Sequence, residues 1–438
     1  MNIVKSLNSL FLSVFVIASV LVLALFLYQR GSLRTDKEFL PASIGRVLEI
    51  SSGNVLVKFK PTTSLQKRND ALFRYGLKEK KEIKQLGVKL FEIPAGQNTW
   101  AFGESLYRNE KNIIEFAEPD FVVEPSLIPN DPWFVNWQKD KQQINSPGAW
   151  DMTTGSASLI LAIVDTGVNC SHEDLTGECV AGWNFYDNNS DTSDVYGHGT
   201  AVAGVAAGMG NNGLGVAGNI WHSKIMPLRV SAIDGTATYS AIANAIVYAA
   251  DNGAKVVNNS YQTGGSSTVR SAAGYLKSKG GLLVVSEGNY GANTGYSNSS
   301  DLISVSAVDS GDVIYSWSSF GADVDVSAPG CTGATTYNTG GYGSFCGTSN
   351  SAPEVSGILM LMWSVNPLLT PDQIQDILFR SAKDLGVIGW DPYYGWGRID
   401  AQSAVNMIVQ GDMISSTPSP LASPTLPPGK SKHIPKSR

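Results

Sequence analysis

The stretch LILAIVDTGVN, residues 159–169, is a short apolar strand that runs into a carboxylate and a turn. Four more apolar runs follow it: KVVNNS (255–260), LLVVS (282–286), LISVSAV (302–308) and VDVSAP (324–329). Helix-like stretches such as YSAIANAIVYAADNG (239–253) lie between them. Short apolar strands alternating with helices predict an α/β domain with a mostly parallel sheet covered by helices on both faces. In such a sheet a carboxylate at a strand end, here Asp165, is buried and rigidly held.

Two further motifs carry chemistry. His198 stands in YGHGTAVAGVAAG, whose Gly and Ala residues let a helix pack close to its neighbours. Ser349 stands in FCGTSNSAPEVSGILMLMW, where a Gly-Thr-Ser turn feeds an apolar helix. That places the serine near a helix N-terminus, where N–H groups and the helix dipole favour negative charge. Pro353 is expected early in this helix. A hydrolytic serine needs a base, and the base needs an orienting acid. Histidine, with an ordinary pKa of about 6.5, takes and returns a proton near neutrality. A developing oxyanion needs donors; the Ser349 N–H is one candidate and Asn289, in LLVVSEGNYG, another.

Each motif alone is weak. Together, in the order Asp, His, Asn, Ser, they resemble the subtilisin (subtilase) family over about residues 50 to 410. DTGVN with SHEDL after it, GHGTAVAG, NNGLGVAG, VVNNSY, SEGN, SAPG and GTSNSAP carry the resemblance. It implies a serine endopeptidase with Asp165, His198 and Ser349 as triad and Asn289 as oxyanion donor. It implies a cleft edged by Ser260, Tyr261 and Gln262, which would add a substrate strand. Ser286, Glu287, Gly288, Gly295 and Tyr296 would line the pocket for the side chain before the scissile bond. Glu287 stands where relatives carry small apolar residues; one expectation is a preference for basic side chains, and the alternative is a side chain that points away from the pocket. The resemblance also implies structural Ca2+, held by Asp131, Asp174 and the loop Gly210, Asn212, Leu214 and Val216, whose oxygens suit a hard cation. No organic cofactor is expected. Three departures from the family pattern, Ala201, Asn350 and Glu354, remove no triad group.

Upstream, VLVKFKP (55–61) alternates apolar and basic residues as a half-buried strand does. A polar, helix-prone run spans Ser64 to Leu86, and VKLFEIP (88–94) and IIEFAEPDFVVEP (113–125) supply further strands. This leader looks like the inhibitory prodomain of subtilases, cut off by the enzyme itself between Pro125 and Asp131. Before Asp131 there are 17 Lys and Arg against 13 Asp and Glu; from Asp131 to Gln410 there are 11 against 24. A basic leader and an acidic body suit docking, although two independently solvated surfaces explain the same charges. The expected organisation is a membrane segment and stalk over 1–45, a small α+β prodomain over 46–128, the catalytic domain over 129–410 and a disordered Pro/Ser-rich tail over 411–438.

Leu10 to Tyr28 is apolar and long enough to approach a bilayer core of roughly 30 Å. It reads as a signal-anchor, with a cleaved signal as the alternative. Arg30, Arg34 and Lys37 after it, against Lys5 before it, would by charge alone keep the body in the cytoplasm. The cysteines and the protease resemblance argue instead for an extracytoplasmic or secreted catalytic domain. Cys170, Cys179, Cys331 and Cys346 allow three pairings. Proximity suggests 170 with 179 and 331 with 346, the latter across a hairpin turning near Asn338–Thr339; four reduced thiols are the alternative. Protein or peptide substrates, the chain's own prodomain and a membrane are the expected partners. No basic stripe with interleaved aromatics points to nucleic acid. An aspartic protease built on Asp165-Thr-Gly and Asp309-Ser-Gly, and a silent scaffold on the same fold, are the rival readings.

Overall fold

A computed structural model describes residues 48–122 and 127–411. The apolar segment at Leu10–Tyr28 and the Pro/Ser-rich tail lie outside the described residues. Among the described residues no helix is long and apolar enough to cross a membrane. The chain divides into two compact units between Glu124 and Pro125.

The first unit contains β1 (Leu48–Phe59), α1 (Leu65–Arg74), β2 (Lys78–Ile83), β3 (Val88–Glu92), α2 (Thr99–Glu110) and β4 (Ile114–Val122). The strands form an antiparallel sheet in the order β2-β3-β1-β4. Val55, Val57 and Phe59 alternate along β1 and are buried with Phe91, Ile93, Leu106 and Ile114. The helix-prone run that begins at Ser64 does not reach Leu86. α1 closes at Arg74, with the Leu77 N–H turning back to the Leu72 carbonyl at 2.9 Å. KEKKEI then forms the edge strand β2, exposed at every residue. Its charges find cross-strand partners, Glu79 with Lys89 at 2.8 Å and Lys80 with Glu92 at 3.6 Å. Lysines along an edge also discourage pairing with another chain.

The second unit begins with three short helices, α3 (Phe134–Trp137), α4 (Lys139–Gln143) and α5 (Ser146–Trp150). There follow β5 (Gly155–Asp165), β6 (Trp183–Asn184), α6 (His198–Ala207), β7 (His222–Arg229), α7 (Tyr239–Asp251), β8 (Val256–Asn259), α8 (Ser267–Ser278), β9 (Leu282–Ser286), β10 (Leu302–Val308) and β11 (Val326–Pro329). A hairpin of β12 (Cys331–Thr336) and β13 (Tyr342–Cys346) precedes α9 (Thr348–Val365), α10 (Pro371–Ser381) and α11 (Ala401–Val409).

Seven strands form one parallel sheet, β11-β10-β9-β8-β5-β7-β6. Both faces are covered. Leu161 and Ile163 of β5 pack in one core with α6 and α9. Ala162 and Val164, pointing the other way, pack in a second core with α7 and α8. This is why the strand reads as an unbroken apolar run: a strand buried on both faces has no polar side. The chain leaves β5 on one side toward β6 and β7 and on the other toward β8 to β11. Such a switch point, at the carboxyl ends of the strands, is where open α/β sheets collect ligands. Asp165 is the last residue of β5.

The cysteines pair 170 with 179 and 331 with 346. Cys331 and Cys346 lie directly opposite in the β12–β13 register, and the hairpin turns over residues 337–341. Pro353 falls on the sixth residue of α9, beyond the first turn. A proline there cannot donate to the carbonyl four residues back, that of Ser349. The Ser260 hydroxyl donates to that carbonyl instead, at 3.3 Å.

Candidate active site

The site is assembled from strand ends and helix beginnings. Asp165 is fully buried at the end of β5, and His198 opens α6. The Asp165 Oδ1 to His198 Nδ1 distance is 2.8 Å, and Oδ1 also accepts the Thr166 N–H at 2.8 Å. α6 can start this close to β5 because residue 199 is glycine. A Cβ there would stand 2.1 Å from the Gly167 carbonyl oxygen and 3.0 Å from the Asp165 Cβ. Burial works against the His198 imidazolium, but the charge and hydrogen bond of Asp165, with the charge of Asp194, outweigh it and raise its pKa.

Asp194 is the residue the motifs did not reveal. Gly197 caps α6 without a side chain. Asp194 Oδ2 instead accepts the Thr200 N–H at 2.8 Å and its hydroxyl at 2.5 Å. Its Oδ1 accepts from Gly197 N and from the Thr166 hydroxyl, both at 2.7 Å. It therefore satisfies donors at the start of α6 and ties them to the turn after Asp165. A carboxylate four residues ahead of a glycine-capped helix is the signal that could have exposed it.

Ser349 is the second residue of α9, and its N–H has no acceptor within the helix. Its hydroxyl donates to the Ser260 carbonyl at 3.2 Å, and no hydrogen bond joins it to His198 in this conformation. α6 and α9 pack on the same face of the sheet. Phe345, four residues before Ser349, meets the His198 ring edge-on at 5.3 Å. Asn289 Oδ1 accepts the N–H and the hydroxyl of Thr348, at 2.9 and 3.0 Å, which fixes its amide beside the turn. A Cβ on Gly347 would lie 3.2 Å from Asn289 Nδ2 and 3.5 Å from Ser349 N. The two candidate oxyanion donors thus flank one small space, kept open by a glycine.

Of the expected cleft residues, Ser260 is buried against Ser349, and Tyr261 donates its hydroxyl to the Gly235 carbonyl at 2.9 Å. The Gln262 side chain lies over Gly288, where a Cβ would be 2.5 Å from its Cδ. Gly288 donates its N–H to the Thr348 hydroxyl at 3.0 Å, and the Tyr296 ring packs on Gly265. Ser286 ends β9 and is buried; Gly295 donates its N–H to Asn293 Oδ1 at 2.8 Å. Glu287 is 1% exposed, and its carboxylate accepts from the Ser304 hydroxyl on β10. Burial, with the neighbouring Asp323 charge, raises its pKa to about 8. It is a buried, proton-holding group rather than an open charge. Asp309 takes the Gly311 and Val313 N–H groups in a turn and does not meet Asp165.

The expected calcium residues converge on Asp174. Its carboxylate accepts from Asn212 Nδ2 at 2.9 Å and from Val216 N at 2.8 Å, while Asn212 Oδ1 accepts from Leu214 N. Val216 offers its N–H there, and Gly210 packs against the Trp221 indole. Asp131 Oδ2 accepts the Asn211 N–H at 2.6 Å, but its buried Oδ1 has no donor among the described residues. Burial, with the Asp174 charge adding, raises the Asp131 pKa to about 6 against the Asn211 hydrogen bond. Two carboxylates, one with an orphaned oxygen, fit a hard cation. Among the described residues no cluster of three or more His, Cys, Asp or Glu could hold a metal, so other oxygens would complete the shell.

Residues 156–397 match the model of the subtilase family. The chain belongs to the subtilase family. Residues 49–120 of this subtilase match the fervidolysin N-terminal prodomain. It is 34% identical to the thermophilic serine proteinase of Bacillus sp. (strain AK1) over 356 residues, 81% of this chain and 87% of that one. It is 40% identical to thermitase of Thermoactinomyces vulgaris over 284 residues, 63% of this chain and 99% of thermitase. The crystal structure of fervidolysin from Fervidobacterium pennivorans, a keratinolytic enzyme related to subtilisin, aligns with a TM-score of 0.53 at 25% identity. That alignment covers 81% of this chain and 60% of fervidolysin. The chain is a subtilisin-like serine peptidase carrying an N-terminal prodomain.

Proposed function

We propose that this subtilase hydrolyses internal peptide bonds through Asp165, His198 and Ser349 and removes its own leader. The Asp165–His198 hydrogen bond of 2.8 Å, at the end of β5, carries the reading. Asp165 holds the proton of His198 on Nδ1, leaving Nε2 as the base. The Ser349 hydroxyl turns from the Ser260 carbonyl to His198 as substrate enters. Its oxygen attacks the peptide carbonyl while its proton passes to Nε2. The oxyanion is held by Ser349 N–H and Asn289 Nδ2, donors fixed before the reaction begins. Collapse breaks the C–N bond, His198 returns the proton to the departing amine, and an acyl-serine remains. Water, deprotonated by His198, then releases the acid.

An extended substrate pairs with the edge at Ser260–Gln262. The prodomain, over about 46–128, is the intramolecular inhibitor, its basic charge matched to the acidic catalytic domain, and the cut falls between Pro125 and Asp131. Calcium, held by Asp131 and Asp174 with loop oxygens, supplies structural stability only. Two disulfides support an oxidising, extracytoplasmic location, secreted or anchored through Leu10–Tyr28.

The test compares wild type with Ser349→Ala by intact mass, N-terminal sequencing and labelling with a serine-directed fluorophosphonate. Wild type is expected to take the label and begin between Ser126 and Asp131, while Ser349→Ala keeps its leader unlabelled. A wild type that neither labels nor loses its leader favours the silent scaffold instead.

A further inference from the structure

The catalytic domain buries a charge network that the proposed chemistry does not use. Lys141, on α4, is fully buried, as is Glu354 on α9. Lys141 Nζ donates to Glu354 Oε2 at 2.8 Å and to the Val205 carbonyl of α6 at 3.0 Å, and lies 3.4 Å from Asp140 Oδ2. Of the three donors of the ammonium, two are used here, on Glu354 and on the Val205 carbonyl, while Asp140 Oδ2 lies within ion-pair distance of its charge. Val205 is among the last residues of α6, whose terminal carbonyls have no intrahelical donor and where a cation is favoured. Asn219 closes the ring: its N–H meets the Val205 carbonyl at 3.2 Å and its Nδ2 meets Glu354 Oε2 at 2.5 Å.

This ring joins the two helices that present the reacting groups. Val205 lies seven residues after His198 and Glu354 five after Ser349, about 10 and 8 Å along their axes. The helices touch at that level, where a Cβ on Gly357 would stand 2.8 Å from the Ala206 carbonyl. Buried ion pairs are weak contributors to stability, and well-packed apolar replacements are often neutral or stabilising. A network with so little to give stability is better explained by what it positions. We propose that Lys141 and Glu354 are positioning residues that set the spacing of the His198 helix against the Ser349 helix. Misplacement of reacting groups by about 1 Å can cost on the order of 10²-fold in rate.

Two carboxyl oxygens beside the ammonium, Asp140 Oδ2 and Glu354 Oε1, have no donor among the described residues. Burial raises the Glu354 pKa to about 8, with Lys141 opposing and Asp140 adding. Asp140, Lys141 and Glu354 are the charged groups of the ring; Thr332, donating to Asp140 Oδ1 at 3.0 Å, and Asn219 are neutral.

The inference rests on the serine-peptidase reading. Full-length wild type, Glu354→Gln, the double variant Lys141→Met/Glu354→Met and Ser349→Ala are expressed, and peptide hydrolysis, melting and pH profile are compared. The double variant is expected to melt within a few degrees of wild type, with kcat down at least 10-fold and KM within twofold. Wild-type kcat is expected to decline on an alkaline limb that Glu354→Gln lacks, a readout a purely structural role would not move. A folded double variant with kcat within threefold of wild type overturns the proposal. If the double variant does not fold, an unchanged alkaline limb in Glu354→Gln overturns it. Hydrolysis by wild type that survives Ser349→Ala overturns the triad reading, which separates the two failures.

Discussion

Gly347 offers the sharpest test of the site. It holds φ 131° and ψ 169°, a region that essentially only glycine occupies. Gly347→Ala therefore carries a backbone cost of about 1–3 kcal/mol. For a domain of this size that lowers the melting midpoint by roughly 2 to 5 °C. The second effect is on rate. The new methyl would stand 3.2 Å from Asn289 Nδ2 and 3.5 Å from Ser349 N, in the space assigned to the oxyanion. Losing one oxyanion donor costs about 10²–10³ in kcat, a figure that comes from the side-chain donor of subtilisin, a relative of this chain. The assay is steady-state hydrolysis of a chromogenic peptide well below the melting midpoint, with active sites counted by fluorophosphonate. The expected result is a kcat lowered at least 10²-fold in protein that is folded. A folded Gly347→Ala enzyme with kcat within threefold of wild type would refute the placement of the oxyanion between these donors.

Other outcomes follow from the titratable groups. The raised His198 pKa means that the base stays protonated to higher pH than free histidine. Activity should fall as pH drops below that raised value, and Asp194→Asn should move this acid limb downward in a pH–rate profile. Glu287 holds its proton when folded and releases it when unfolded between its ordinary value of 4.5 and about 8. Its burial therefore weakens the fold as pH rises through that window, and in denaturant titrations Glu287→Gln should lose less stability there than wild type. Chelation of calcium should lower the melting midpoint of wild type, while Asp131→Asn should melt lower from the start and respond little to chelator, as followed by calorimetry.

The architecture was legible because it is written in local patterns. Five apolar runs became the parallel strands β5, β8, β9, β10 and β11, and 239–253 became α7 with its Thr238 cap. The hairpin between Cys331 and Cys346 placed those two residues opposite each other, as its spacing suggested. Composition misled at KEKKEI, because a run of Lys and Glu suits a helix and an edge strand equally until its neighbour β3 is known. At the site, local motifs exposed the residues that occupy the ends of strands and helices. Asp194 and Lys141 escaped because their importance lies in where they point after folding, 28 and 213 residues away from partners at Thr166 and Glu354. Glu287 stood out as an unusual charge, but only the packed sheet reveals that it faces Ser304 on the next strand.

The Cys331–Cys346 bridge lies three residues from Ser349, and the strand it fastens holds Phe345 against His198. The bridge and the ordered site are therefore linked thermodynamically. Whatever factor the bridge contributes to binding in the cleft, an occupant of the cleft returns to the bridge as resistance to thiols. A peptide seated over Ser349 would guard that sulfur pair, and an emptied cleft would leave Cys346, exposed at the surface, open to exchange.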